Sequence, residues 1–159
     1  MNSQPLVSVI VPTYNCAGYI GEAVASVLAQ TYGCYEIIVV DDGSTDETRA
    51  ALAPYWNKIH YVFQKNRGLS AARNTGIAQA RGDLIAFLDA DDVWFPEKLM
   101  LQATAFGAHP AAVLAFADFL DFDDTGVTRS SRLNTWREAR AWFERQRADN
   151  TEVVCGRMY

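Results

Sequence analysis

The sequence predicts an α/β domain: a mostly parallel sheet flanked by helices. Three observations predict it. Short apolar runs rich in β-branched residues recur along the first 120 or so positions. Segments with helical apolar spacing separate them. The connections are short, which implies right-handed βαβ units and a parallel sheet.

Val7 to Val11 is the first strand, ended by Pro12. Ile20, Val24, Val27 and Leu28 recur at helical spacing, so residues 17 to 30 read as a helix. Tyr35 to Val40 is a second buried-type strand, running into Asp41-Asp42-Gly43. Ser44-Thr45-Asp46-Glu47 fits a capping box, with Ser44 as N-cap of a helix to about Tyr55. Ile59 to Phe63 is a third strand and Asn66-Arg67-Gly68 a turn. Ser70 to Ala80 is helical, with Gly76 a weak point inside it. The fourth strand is the apolar, buried-type run Leu84 to Leu88 before Asp89. Pro96 suits the first turn of a helix to about Gly107. Val113 to Phe122 is a fifth strand, followed by a turn at Asp123 to Gly126 that fits a hairpin. Beyond Thr128 the pattern changes. Trp136, Ala139, Arg140 and Phe143 fit one helix face, and Glu152 to Cys155 begins a further strand. The division expected is a core at 1–128 and a basic helical segment at 129–159, with the C-terminal side of the fold truncated.

The 159 residues are half hydrophobic and carry a net charge of -5. That excludes a disordered chain and argues against nucleic acid as the main partner. Seven basic and 15 acidic residues precede Arg129, whereas seven basic and four acidic follow from it. The basic tail reads as a solvated helix face. Cys16, Cys34 and Cys155 have no metal-ligand spacing and read as reduced thiols of a cytoplasmic protein, with peripheral membrane attachment compatible. No run approaches the roughly 20 apolar residues of a membrane span. His60 and His109 stand alone, and no Ser/His/Asp set is visible.

The richest chemistry follows the fourth strand, at Asp89-Ala90-Asp91-Asp92. On extended backbone, Asp89 and Asp91 would face one point. Two carboxylates about 5 Å apart repel by roughly 3 kcal/mol at an effective dielectric near 20. A shared proton, an arginine or a divalent cation would offset that. Oxygen ligands favour Mg²⁺ or Mn²⁺, which keep positions open for substrate phosphates. The plain alternative is a solvated acidic loop. Pro12-Thr13-Tyr14-Asn15 and Asp41-Asp42-Gly43-Ser44 end two other strands and would share the same sheet edge. Tyr14 would stack on a flat base, Asp41 would accept from ring N–H and ribose hydroxyls, and Arg73 would reach a phosphate. Each alone reads equally well as a packing tyrosine, a turn former or a surface arginine. No G-x-G-x-x-G follows the first strand and no P-loop is present. Asp121 to Gly126 fails as a calcium loop, because the twelfth position is Arg132 where glutamate is required.

Val9 to Asn15, Ile37 to Asp46, Asn66-Arg67-Gly68 with Ala72-Arg73-Asn74, and Phe87 to Asp92 together resemble the family-2 glycosyltransferases of the GT-A fold. The match runs over about residues 6 to 125. The resemblance implies a nucleotide-diphosphate sugar donor, often UDP-linked, at the carboxyl edge of the sheet. It implies that Pro12, Thr13 and Tyr14 line the base and ribose pocket, and that Asp41 contacts uracil. Arg73 would lie near the nucleotide or diphosphate, and Asp89 would touch ribose. Asp91, in the family's D-x-D, would ligate Mn²⁺ or Mg²⁺ with help from Asp92. The implied reaction is inverting displacement at the anomeric carbon, onto an unknown saccharide, lipid or protein acceptor. The family's downstream Glu-Asp base motif is missing, and Asp118 and Asp121 are poor substitutes, so the catalytic base stays unassigned. Two rivals follow. One is a nucleotide-sugar and metal-binding module without turnover. The other is a phospho-accepting receiver domain, disfavoured because the first strand lacks an acidic pair and no lysine follows Lys98.

Overall fold

The computed structural model describes residues 4–117, 120–123, 126–129 and 152–156. It divides into two compact units, Met1–Pro96 and Glu97–Tyr159. The basic helix expected around Trp136 lies outside the described residues, as does Asp118.

The first unit is a four-stranded parallel sheet. Its strands are β1 (Val7–Thr13), β2 (Tyr35–Asp41), β3 (His60–Phe63) and β4 (Leu84–Phe87), in the order β3-β2-β1-β4. The helices are α1 (Ile20–Leu28), the short α2 (Thr48–Ala51) and α3 (Leu69–Gln79). β1 sits between two neighbours, and all seven of its residues are buried. Isoleucines and valines at 9–11 and 37–40 form the centre of the core. α1 buries Ile20, Ala23, Val24 and Val27, the stripe its spacing predicts.

Ala72 of α3 packs with Ile38 and Val40. A Cβ on Gly76 would stand 2.3 Å from Ile10 Cγ2. The glycine that weakens the helix therefore lets α3 lie close on β1. The right-handed crossover rule puts α1 on the opposite face. Because β2 and β4 lie on either side of β1, the winding reverses between β1 and β4. Ligands of open α/β sheets bind at such a switch point, beyond the carboxyl ends of the strands.

Four local expectations are corrected. β1 does not end at Pro12. Ile10 O accepts from Leu88 N, so even-numbered residues of β1 turn their backbone towards β4. Pairing with β4 stops at Ile10, so the missing proline N–H falls where no ladder bond is needed. The capping box does not form. Ser44 Oγ accepts from Asn15 N at 3.0 Å, and Asp46 Oδ1 instead accepts from Thr48 N at 3.0 Å. Asp89 to Asp92 is a turn closed by Asp92 N to Asp89 O at 3.1 Å, so the side-chain alternation of a strand does not apply there. Finally, β4 is an edge of this sheet, with Ile85 and Phe87 exposed rather than buried.

The segment after β4 folds back on the end of α1. Trp94 N donates to Ser26 Oγ, Gln30 Nε2 to Phe95 O, and Thr31 N to Pro96 O. In the second unit, α4 (Lys98–Ala108) precedes β5 (Ala112–Ala117), which pairs in parallel with β8 (Glu152–Gly156). β6 (Asp121–Asp123) and β7 (Gly126–Arg129) form the expected antiparallel hairpin. The single strand expected over Val113 to Phe122 is thus two. Gln102 Nε2 donates to Ala115 O at 3.4 Å, tying α4 to β5. Among the described residues no helix is long and apolar enough to cross a membrane.

Candidate functional site

A cavity of about 340 Å³ opens at the switch point of the first unit. That is within the roughly 300–1,000 Å³ range of small-molecule pockets. Pro12, Thr13, Tyr14 and Cys16 line it from the end of β1, and Asp89, Ala90 and Asp91 from the turn after β4. Asp42, Asn66 and the start of α3 close it. Parallel pairing brings these segments together, because every strand of the sheet ends at the same edge.

Tyr14 is 48% exposed on this wall, and Leu69 at the start of α3 is also exposed. Thr13 is buried, and its Oγ1 has no hydrogen-bond partner among the described residues. Such a hydroxyl on a cavity wall is costly unless something bonds to it. Arg73 reaches the site through Asp89, with Nη2 to Oδ1 at 2.7 Å. Its guanidinium lies 5.6 Å from the centre of the Phe87 ring, and its Nε has no hydrogen-bond partner among the described residues.

The two residues after the core of β2 differ from the expectation in placement. Asp41 is 1% exposed and is not on the cavity wall. Its Oδ1 accepts from Ser44 N and its Oδ2 from the Tyr61 hydroxyl, each at 2.7 Å. Burial, then the bond to Asp41, pushes the Tyr61 hydroxyl well above its usual pKa, so it stays a donor. Asp42 is the carboxylate on the wall. It accepts from Gln64 Nε2, Arg67 N and Gly68 N. Burial opposes its charge, but these bonds and the Arg67 charge outweigh it and hold its pKa below the ordinary carboxylate value. Asp42 thereby fixes the loop that starts α3. The Cβ that Gly43 lacks would sit 2.8 Å from Asn66 N, and its φ of +83° is one that glycine tolerates.

Among the described residues, the carboxylates after β4 have no such backbone donors, and Asp89 alone of them is paired, with Arg73. Asp91 and Asp92 are exposed. Desolvation, then the charges of Asp91 and Asp89, push the Asp92 pKa up. Among the described residues no three His, Cys, Asp or Glu side chains converge as a metal cage. A cage is not what Mg²⁺ needs; one or two carboxylates, waters and substrate phosphates suffice. Oxygen donors that repel one another beside a cavity fit such an ion.

The loop after β1 is closed to phosphate. Its three successive donors, Asn15 N, Cys16 N and Ala17 N, go to Ser44 Oγ, Thr48 Oγ1 and Asp46 Oδ2. In phosphate-binding loops such N–H groups face the ligand. Here side chains of the β2–α2 loop and of Thr48, the first residue of α2, fill that role.

The structure thus gathers Pro12, Thr13, Tyr14, Asp89 and Asp91 around one cavity, with Arg73 behind Asp89. Asp41 and Asp92 stand off its wall. Sequence reasoning gave no role to Asp42, Cys16, Asn66 or Leu69. For Asp42 the signal was its place in the Asp41-Asp42 doublet; for Leu69 it was the Gly68 break before a helix.

The Glycosyl transferase family 2 profile matches residues 8–157, and the chain belongs to that family. It is 42% identical over 132 residues to an uncharacterized glycosyltransferase of Nostoc sp., covering 79% of this chain and 40% of that protein. Among solved structures it resembles S. aureus TarS 1-349 in complex with UDP-GlcNAc, at a TM-score of 0.63 and 30% identity. That match covers 78% of this chain and 36% of TarS 1-349. It also resembles the mannosyltransferase PcManGT of Pyrobaculum calidifontis in complex with GDP-Man and Mn²⁺, at a TM-score of 0.60 and 32% identity. Here the cover is 70% of this chain and 34% of the other. The chain therefore spans well under half the length of these relatives. The fold is that of the GT-A glycosyltransferases.

Proposed function

We propose that this chain forms the donor-binding part of a glycosyltransferase that moves a sugar from a nucleotide-diphosphate sugar, UDP-linked, to a saccharide, lipid or protein acceptor with inversion. The observation that carries the reading is the cavity itself. It sets an exposed aromatic and an unpartnered hydroxyl on one wall and the carboxylates of Asp89 and Asp91 on the other, with Asp92 just off it, at the switch point of the sheet. TarS has been solved with UDP-GlcNAc and PcManGT with GDP-Man and Mn²⁺, which supports a nucleotide-sugar ligand.

Tyr14 stacks on the base, with Pro12 and Thr13 around base and ribose. The unpartnered Thr13 hydroxyl gains a bond there. Asp89 takes a ribose hydroxyl, and Arg73, held by Asp89, supplies positive charge on the diphosphate side. Asp41 meets the uracil N–H, which requires the contacts of Ser44 and Tyr61 to leave one of its lone pairs accessible. Asp91 holds Mn²⁺ or Mg²⁺, and Asp92 assists. When bound, the cation neutralises charge on the diphosphate leaving group. The plugged donors at 15–17 leave the phosphates to the β4 side of the cavity.

Calorimetric titration with UDP, with GDP as competitor, tests the donor class. Selective UDP binding is expected. Preference for GDP would keep the site and change the donor; binding of neither would overturn the reading. A second reading, donor binding without turnover, draws on the absence of a Glu-Asp pair in the sequence. UDP release from a UDP-sugar on incubation with this chain and Mn²⁺ decides against it.

A further inference from the structure

We propose that Thr48 is a positioning residue for the base subsite, acting through the loop that presents Tyr14. The proposal rests on the donor-binding reading above and adds a residue that touches no ligand.

Thr48 opens α2 and is completely buried. Its Oγ1 accepts from Cys16 N at 2.9 Å and donates to Asp46 Oδ1 at 2.6 Å. Asp46 Oδ2 in turn accepts from Ala17 N at 3.1 Å. Two more bonds cross between the loops. Asn15 N donates to Ser44 Oγ at 3.0 Å, and Thr45 N donates to Asn15 Oδ1 at 2.8 Å. The loop after β1 is therefore stitched residue by residue to the loop after β2. Thr48 is the buried member of this set, where a lost bond cannot be replaced by water.

The stitching holds a conformation the chain would not choose freely. Asn15 has φ of 51°, the one non-glycine residue in that region among those described. Asparagine tolerates it better than most residues, but it persists only where neighbours over-determine it. Cys16, the residue that Thr48 holds, also reaches back to Tyr14: its Sγ donates to Tyr14 O at 3.4 Å, so the turn fixes the peptide that leaves the half-exposed tyrosine. A ring already aimed loses less freedom when a base stacks on it. Without the Thr48 hydroxyl, Cys16 N is unpaired, and the turn after Tyr14 is held only by the exposed bonds of Asn15 and Ala17. The consequence falls on recognition of the base and not on recognition of the diphosphate.

The test compares two ligands in the presence of Mn²⁺: UDP, and ribose 5-diphosphate, which lacks the base. Thr48→Val removes the hydroxyl and keeps the side-chain shape; Thr48→Ser keeps the hydroxyl. Loss of one buried hydrogen bond predicts about tenfold weaker UDP binding by Thr48→Val. Ribose 5-diphosphate binding is unchanged, and Thr48→Ser restores UDP binding. Equal weakening of both ligands, or unchanged UDP affinity, overturns the positioning role. Should Thr48→Val lack a cooperative thermal transition, Asp46→Asn takes its place on the exposed side of the relay. A smaller loss confined to UDP is then expected, and no selective loss overturns the proposal. Failure of the unaltered chain to bind UDP or GDP overturns the donor-site reading along with it. Selective UDP binding by the unaltered chain, with no selective loss in the variants, overturns the positioning role alone.

Discussion

The two acidic ends of this sheet look alike in sequence and are opposites in structure. β2 ends in Asp41-Asp42, and β4 is followed by Asp89-Ala90-Asp91-Asp92. The first pair is buried, at 1% and 3% exposure, and every carboxylate has donors aimed at it. In the second, Asp91 and Asp92 are exposed, and desolvation, then the charges of Asp91 and Asp89, raise the pKa of Asp92. The first is framed by the fold's own donors. The second is left open to solvent beside the cavity. A doublet of aspartates is thus no signal of function by itself; what matters is whether the fold brings donors to it.

That contrast can be broken at either end. The largest effect is expected from Asp42→Ala. It leaves Arg67 N, Gly68 N and Gln64 Nε2 without their acceptor, at a cost of roughly 2–3 kcal/mol in stability. Denaturant unfolding measures it, and a change under about 1 kcal/mol would remove Asp42 from the frame.

Asp91→Asn is the converse. Unfolding should be nearly unchanged, because the side chain is exposed, while UDP affinity in Mn²⁺ falls by about tenfold or more. A large drop in stability with intact nucleotide binding would reverse the assignment of the two ends.

The smallest effect is in pH dependence. The Asp42 pKa is lowered on folding, so the unfolded chain binds more protons between the folded and the ordinary value. Its contribution is therefore fully present above the ordinary carboxylate value, roughly 3.9, and is lost as pH falls through the folded value. Asp42→Asn should flatten this acid limb in a stability–pH profile. An acid limb of unchanged slope would assign the loss to other carboxylates.

Much of the fold was legible because local signals agreed with the final packing. The apolar runs at 7–11, 35–40 and 59–63 became β1, β2 and β3, and the stripe at Ile20, Val24 and Val27 became the buried face of α1. The failures came where a distant partner overrode a local pattern. Ser44 fits a capping box within four residues, but its hydroxyl is taken by Asn15 from 29 residues away. Pro12 is a strand breaker in isolation, yet the strand beside it has already ended. The acidic turn after β4 read as extended because nothing in Asp-Ala-Asp-Asp distinguishes a turn from the end of a strand. Of the candidate site residues, those at the end of β1 and in the turn after β4, Asp92 apart, came together around one cavity, as parallel topology demands. Asp41 and Asp42 could not be told apart from sequence. Which of two adjacent aspartates is buried behind the wall depends on Tyr61 and Gln64, twenty and more residues on.

The most direct test of the account is titration of UDP into this chain with and without Mn²⁺, repeated on Asp91→Asn. The account predicts UDP binding that Mn²⁺ strengthens, and loss of that strengthening in the variant while metal-free binding stays the same. UDP binding that is indifferent to Mn²⁺ in the unaltered chain would contradict the claim that the acidic turn after β4 is completed by a cation.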